Sequence, residues 1–201
     1  MIVKVCGLTN SLDSLTALDA GADALGFNFW PGSPRFIKDS AFIQDLPDDF
    51  WRVGLFVDED PSRVADLMAQ HRLDIAQLHN HLHKMNSLPG LRVWKAVPAD
   101  GELTQAKIDQ DPVEAVVLDT PAGALAGGTG QRFDWSLAQG LTGKIVLAGG
   151  LDAGNVALAI QRLKPWGVDA CSRLESEPGK KDRDKMRAFI EAARKEFDAV
   201  C

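Results

Sequence analysis

What the chain lacks narrows its chemistry first. A concentrated basic surface is missing, because 28 acidic residues outnumber 22 Lys and Arg and give a formal net charge of -6 with a pI near 5.2. Broad binding to nucleic acid or to anionic lipid needs such a surface, so neither partner is expected, and any anionic ligand must be held locally. No apolar run approaches ~20 residues, and the opening residues have no basic stretch, long apolar segment and small-residue cleavage site in series. A soluble, cytoplasmic protein without a membrane partner is expected. Cysteines are few: Cys6, Cys171 and Cys201 form an odd set without CxxC spacing, which favours reduced thiols over a disulfide framework or a zinc site. No proline-rich linker, low-complexity tract or shift of composition divides the 201 residues, so one domain over 1–201 is expected.

What is present is a regular alternation. Eight short runs read as strands: IVKVC, ADALGFNF, RVGLFV, DIAQLH, RVWKAV, EAVVLD, KIVLAG and GVDACS. Several are apolar on both faces, as parallel strands covered by helices should be. Helical patterns lie between them, clearest in SLDSLTALDAGA, DPSRVADLMAQHR, DAGNVALAIQRLKP and KKDRDKMRAFIEAARKEF, whereas HNHLHKMNSLPG is weak as a helix. With right-handed crossovers, eight such units give an open doubly wound sheet or a closed (β/α)8 TIM barrel. The turn after the first strand, CGLTNS, lacks the GxGxxG of a dinucleotide-binding sheet, and the α/β barrel is the preferred reading.

On that reading function sits where strands end. Those positions hold Cys6, residues 28–35, Asp58, His79, Asp119, the pair Gly149 and Gly150, and residues 169–175. A thiol and a carboxyl on strands far apart in sequence could flank a substrate from two sides. The stretch GGTG at 127–130 and the pair Gly149 and Gly150, read as lying directly before a helix starting at Asp152, would bring backbone amides close to a ligand. Together with CSRLE they suit a phosphate, which explains how an acidic protein could bind an anion. Each glycine motif is also compatible with a tight turn alone.

Taken in order, VKVCGLTN, GADALGFNFWPGSPRFI, VGLFVDE, QLH, LDTPAGALAGGTGQRFDW, VLAGGLDAGNV and VDACSRLESEPGKKD give the chain a close likeness to a known family. It resembles the phosphoribosylanthranilate isomerases of tryptophan biosynthesis over essentially its whole length. The resemblance implies an Amadori rearrangement of N-(5-phosphoribosyl)anthranilate to 1-(2-carboxyphenylamino)-1-deoxyribulose 5-phosphate, which needs one acid, one base and no cofactor or metal. It makes Cys6 the general base and Asp119 the general acid. Arg35 corresponds to the arginine that pairs with the anthranilate carboxylate, and Asp169 to a residue of the substrate pocket near the amine or sugar hydroxyls. Phosphate would be met by backbone around Gly128, Thr129 and Gly130, by Gly149 and Gly150, and by Ser172 and Arg173.

Each residue also has a plainer reading. A buried cysteine is commonly a small apolar filler, Asp119 could cap a loop, and Arg35 could make a surface ion pair. To serve as a base, Cys6 needs thiolate character, which the amides of residues 7–10 or a nearby cation should supply; Asp119 must keep its proton through burial or a neighbouring anion. The run GKKDRDKMR reads as the exposed start of the last helix, and the five tryptophans as core and rim packing, with Trp30 beside the anthranilate ring.

Two departures from the family pattern stand out. CSRLE occurs where many members read SSGVE, placing Cys171 at a serine and Arg173 at a small residue, which fits if a short helix begins there and strains the backbone if φ is positive. QLHNHLH replaces QLHGDE, so His79, His81 and His83 share one face of an extended segment and could bind zinc; a polar loop with a buried His79 is the alternative. The related isomerase of histidine biosynthesis performs the same rearrangement with an aspartate pair, against which Cys6 argues, and a barrel that binds phosphosugars without turnover is the remaining alternative. A monomer and a homodimer are both compatible with the sequence.

Overall fold

Strands form where β-branched and apolar residues leave no helical period. The computed structural model describes residues 1–79, 90–121 and 132–200, and its barrel strands are β1 (Ile2–Cys6), β2 (Ala24–Asn28), β3 (Trp51–Val57), β4 (Ile75–His79), β5 (Val93–Pro98), β6 (Ala115–Asp119), β7 (Ile145–Leu147) and β8 (Gly167–Ala170). Each pairs in parallel with the next, and β8 returns to β1 with Lys4 opposite Asp169 and Val5 opposite Ala170. The expected (β/α)8 architecture is therefore a closed barrel rather than an open sheet.

The four strong helical patterns fold as α-helices: α1 (Ser11–Asp19), α2 (Pro61–Gln70), α4 (Val156–Leu163) and α5 (Arg183–Val200), while a short α3 (Gln105–Asp109) follows β5. Capping explains their starts. Asn10 accepts from the Asp13 amide at 2.9 Å, and Asp60 accepts from the Ser62 amide at 2.9 Å just ahead of Pro61. α4 corrects an expectation, beginning at Val156 instead of Asp152. Asp152 is drawn into a turn in which its Oδ1 accepts from the Gly154 amide, and its carbonyl takes the amides of both Asn155 and Val156. The crossovers after β2 and β6 carry only 3-10 turns among the described residues, at Ala41–Asp45 and Trp135–Ala138. HNHLHKMNSLPG lies almost wholly outside the described residues. Among those residues, no helix is long and apolar enough to cross a membrane.

Alternation along each strand divides the core in two. Val3, Val5, Leu25, Phe27, Leu118, Leu147 and Val168 face outward into one apolar layer with Met186, Phe189 and Ile190 of α5. Ala24, Val53, Ile75, Trp94, Ala115, Val117 and Val146 fill the barrel itself. The N-terminal mouth is closed by three indoles. Trp51 stacks on Trp166 at 6.0 Å, and Trp94 meets both edge-on at 6.2 and 5.8 Å. Arg92 lies 4.6 Å over the Trp51 ring and Lys144 5.1 Å over that of Trp166. Only the opposite mouth, at the strand C-termini, is left polar.

Candidate active site

Ile2, Lys4 and Cys6 occupy alternate positions of β1, so one apolar face of a short strand delivers a cation and a thiol to the barrel interior. Lys4 is fully buried, and its Nζ lies 2.7 Å from Asp169 Oδ2 on β8. Burial works against the ammonium, yet Asp169 outweighs it and holds the Lys4 pKa above its usual range. The other carboxylate oxygen, Asp169 Oδ1, is buried and makes no hydrogen bond among the described residues. An acceptor thus faces the barrel interior.

Asp119 ends β6 on the same polar level. Burial first and the Asp169 charge second push its pKa up to about 6, against the opposing pull of the Thr120 amide, which donates to Oδ1 at 2.7 Å, and of Lys4. The requirement that Asp119 keep a proton is thus served first by burial and next by the protein's own Asp169 carboxylate. His79 ends β4 3.2 Å from Gln77 Nε2, and burial with the Lys4 charge pushes its pKa down to about 4, leaving a neutral imidazole. His81 and His83 lie outside the described residues; among those described, no cluster of three or more His, Cys, Asp or Glu is placed to hold a metal ion.

For Cys6 the expected support comes from a cation rather than from the first loop amides. The amides of Gly7 and Leu8 both donate to the Gly26 carbonyl, at 2.9 and 3.1 Å, so neither supports a thiolate, whereas the Lys4 ammonium favours one. The Cys6 thiol meets Cys171, just beyond β8. That contact, burial and the Asp169 charge push Cys6 well above the usual thiol range, with Lys4 opposing. Contact with Cys6 brings Cys171 down to about 7 against the cost of burial, helped by Lys181 and Arg35.

Around Cys171 is a buried ionic cluster. A hairpin of β9 (Glu175–Glu177) and β10 (Lys180–Lys181) brings Lys181 Nζ to 3.1 Å from the Cys171 carbonyl, 3.8 Å from its sulfur and 3.1 Å from Glu175 Oε1. Lys181 belongs to the run read as an exposed helix start; the hairpin precedes α5 and turns this lysine inward, where it is only 5% exposed. Arg35, in the loop after β2, sets Nε and Nη2 each 2.8 Å from the two Glu175 oxygens. The surface ion pair considered for Arg35 is replaced by a buried fork, and Glu175 stays below the usual carboxylate range because the two cations overcome its burial. Gly7 makes room for the cluster: at φ +72 its missing Cβ would come 2.7 Å from Arg35 Cδ and 2.8 Å from Cys171 Sγ.

The phosphate candidates lie on the neighbouring strand ends. Gly149 and Gly150 both take positive φ, and a Cβ on Gly149 would strike Thr120 Oγ1 at 2.3 Å, so the backbone after β7 is pressed against the end of β6. Asn155 pins this turn by donating to the Gly150 carbonyl at 3.0 Å. Ser172 and Arg173 open a one-turn 3-10 helix, Ser172–Leu174, in which Arg173 is free of positive φ; its guanidinium reaches 3.7 Å from Asp152 Oδ2. The short-helix reading of CSRLE is the one the backbone adopts. Gly128, Thr129 and Gly130 lie outside the described residues.

One acid poised near neutrality, a paired thiol, a forked guanidinium and the Gly149–Gly150 turn converge at the C-terminal mouth from β1, β2, β6, β7 and β8. Sequence reasoning gave Lys4, Glu175 and Lys181 no role. For Lys4 a signal existed, a lysine at an inward position of an otherwise apolar strand; Glu175 closed the strand-end stretch 169–175 without a partner to give it meaning, and the inward turn of Lys181 depends on the hairpin.

Residues 3–192 match the family model described as N-(5'phosphoribosyl)anthranilate (PRA) isomerase. The chain is 47% identical over 194 residues to the N-(5'-phosphoribosyl)anthranilate isomerase of Solibacter usitatus, covering 96% of this chain and 98% of that protein. The crystal structure of phosphoribosyl anthranilate isomerase from Thermotoga maritima superposes with a TM-score of 0.87 at 34% identity, covering 97% of this chain and 100% of the other. A phosphoribosyl anthranilate isomerase solved in complex with reduced 1-(o-carboxyphenylamino)-1-deoxyribulose 5-phosphate superposes with a TM-score of 0.82, again at 34% identity and with coverage of 97% and 100%.

Proposed function

The chain belongs to the N-(5'-phosphoribosyl)anthranilate isomerase family, and on that footing we propose that Cys6 is the general base and Asp119 the general acid of its aldose–ketose rearrangement. The protein is an isomerase of tryptophan biosynthesis. Its reaction moves one hydrogen and opens one ring. Asp119 protonates the furanose oxygen, the ring opens to a Schiff base, Cys6 in its thiolate form removes the proton from the second ribose carbon, and the resulting enolamine tautomerises to the ketone.

The observation that carries this assignment is the placement of Cys6 and Asp119 at the ends of β1 and β6 on one polar level, with Asp119 raised to about 6. An acid of that pKa is about one-tenth protonated at neutral pH. Anionic substrate groups nearby raise the fraction further. Arg35, oriented by its fork with Glu175, takes the anthranilate carboxylate, and the unpaired oxygen of Asp169 accepts from a sugar hydroxyl or the amine. Backbone of Gly149, Gly150, Ser172 and Arg173, with Gly128, Thr129 and Gly130, receives the phosphate. The eight strands draw on the chain from Ile2 to Ala170 and α5 packs back on α1, which supports a single domain over 1–201.

The test is a coupled fluorescence assay in which the unstable substrate is generated in place from anthranilate and phosphoribosyl pyrophosphate. Wild type should consume it rapidly, and Cys6→Ser and Asp119→Asn should each lose about 10²–10⁴-fold in kcat. A variant that stays within about threefold of wild type removes that residue from its role.

A further inference from the structure

A buried thiol is a poor base until something accepts its proton, and the residue in contact with Cys6 is a second thiol. Cys6 ends β1 and Cys171 follows β8, adjacent strands whose register sets Val5 opposite Ala170. Cys6 belongs to the buried cluster inside the barrel, and the partly buried Cys171 packs against that cluster. The groups facing the pair come from five elements: Lys4 on β1, Asp169 on β8, Arg35 after β2, Glu175 on β9 and Lys181 on β10. Their distribution is uneven. The Lys4 ammonium is engaged by Asp169 at 2.7 Å, so beside Cys6 a cation and an anion nearly cancel. Beside Cys171, the Lys181 ammonium approaches the sulfur at 3.8 Å and Arg35 adds a second cation, against the single anion of Glu175. Negative charge is therefore better solvated on Cys171 than on Cys6.

We propose that Cys171 is the positioning residue that activates Cys6, accepting its proton so that the catalytic thiolate arises by transfer of one proton between two adjacent sulfurs. This rests on Cys6 being the base. The step is balanced: Cys6–SH and Cys171–S⁻ become Cys6–S⁻ and Cys171–SH, and the Cys6 thiolate then takes the ribose proton. No charge leaves the site and no water is needed. Both groups are thiols, so the transfer costs only the difference between their surroundings, whereas a lone Cys6 would have to lose its proton to solvent from a buried position beside Asp169. A serine at 171 could donate and accept hydrogen bonds but could not hold the negative charge near neutral pH.

The test combines thiolate absorbance near 240 nm with the pH dependence of kcat/KM, which reports the free enzyme. Wild type should show a thiolate step near neutral pH with the acid limb of kcat/KM following it. Cys171→Ser and Cys171→Ala should lose the step and move the acid limb upward by at least about one pH unit, roughly a tenfold loss at pH 7 with recovery at high pH. Lys181→Met, which keeps both sulfurs, should raise the step and the limb together. An acid limb and a thiolate step left in place in all three variants would overturn the proposal. Failure of the underlying assignment looks different: Cys6→Ser would then turn over substrate at near wild-type rate, whatever the Cys171 variants do.

Discussion

Lys4 and Asp169 sit directly opposite one another on β1 and β8, with Nζ 2.7 Å from Oδ2 and both side chains buried inside the barrel. This pair sets the charge of the polar level above it. Its cation lowers His79 and opposes the rise of Asp119, while its anion raises both Asp119 and Cys6. A neutral pair at this level would leave the candidate acid and base without their offset environments.

Replacing Lys4 by Met leaves Asp169 buried without its partner. The expected cost is about 3–5 kcal/mol of folding free energy, because an unpaired buried charge loses solvation that nothing returns. Joining Lys4→Met to Asp169→Leu should recover most of that loss. Urea denaturation of the single and double variants checks both statements, and a double variant as unstable as the single one would show that packing, rather than charge, dominates.

Asp119→Asn should make the protein more stable above pH 6 and leave stability unchanged below pH 4. The sign follows from the direction of the shift. Folding raises the Asp119 pKa from 3.8 to about 6, so the native state binds the proton more tightly and the carboxylate penalises folding once pH exceeds both values. A shift of that size corresponds to about 3 kcal/mol in the high-pH limit, absent where the group is protonated in both states. Asn keeps the acceptor for the Thr120 amide, so the comparison isolates the charge. Denaturation at pH 4 and pH 8 measures it; an equal change at both values would assign the effect to packing.

The barrel was legible because short β-branched runs, several apolar on both faces, alternate with helical patterns along the chain, and Cys6 and Asp119 were legible because each closes such a run within a motif that resembles the family's. The helix at Asp152 was misplaced because an Asx turn and Gly154 use up four residues that look like a helix start. Lys181 was misread for a stronger reason. Whether a lysine in GKKDRDKMR is exposed depends on a two-strand hairpin that sets Glu175 opposite it, while its other partner Cys171 arrives from the end of β8. The contact between the two sulfurs was likewise hidden, since Cys6 and Cys171 are 165 positions apart and meet only when β8 closes on β1.

Glu175→Gln should weaken substrate binding more than turnover. The Glu175 carboxylate gathers Arg35 Nε and Nη2 at 2.8 Å, Lys181 Nζ at 3.1 Å and the Gly179 amide at 3.3 Å. A glutamine offers one acceptor oxygen and turns an amide NH2 donor toward the cations, so Arg35 loses the fork that aims it. KM should rise about tenfold with a smaller change in kcat. The folded Glu175 pKa lies below its ordinary value, so its stabilisation is present above pH 4.5 and fades as pH falls through the folded pKa; this part of the acid profile should vanish in the variant.

Gly7→Ala and Gly143→Ala separate backbone strain from displacement of the site. Both glycines hold positive φ, +72 and +107, and an alanine at either should cost about 1–2 kcal/mol through its Cβ alone. Around Gly143 nothing lies within 4 Å of the added carbon, whereas at Gly7 it would press on Arg35 Cδ at 2.7 Å and Cys171 Sγ at 2.8 Å. Those are the two groups placed at the carboxylate end of the substrate and behind the base. Gly143→Ala should therefore lower stability and leave kcat and KM as in wild type. Gly7→Ala should in addition raise KM as Arg35 is pushed aside and move the acid limb of kcat/KM as the sulfurs are driven apart. Equal kinetics in the two variants would mean that the loop after β1 yields without moving either group, and the close packing seen around Gly7 would have no part in positioning the site.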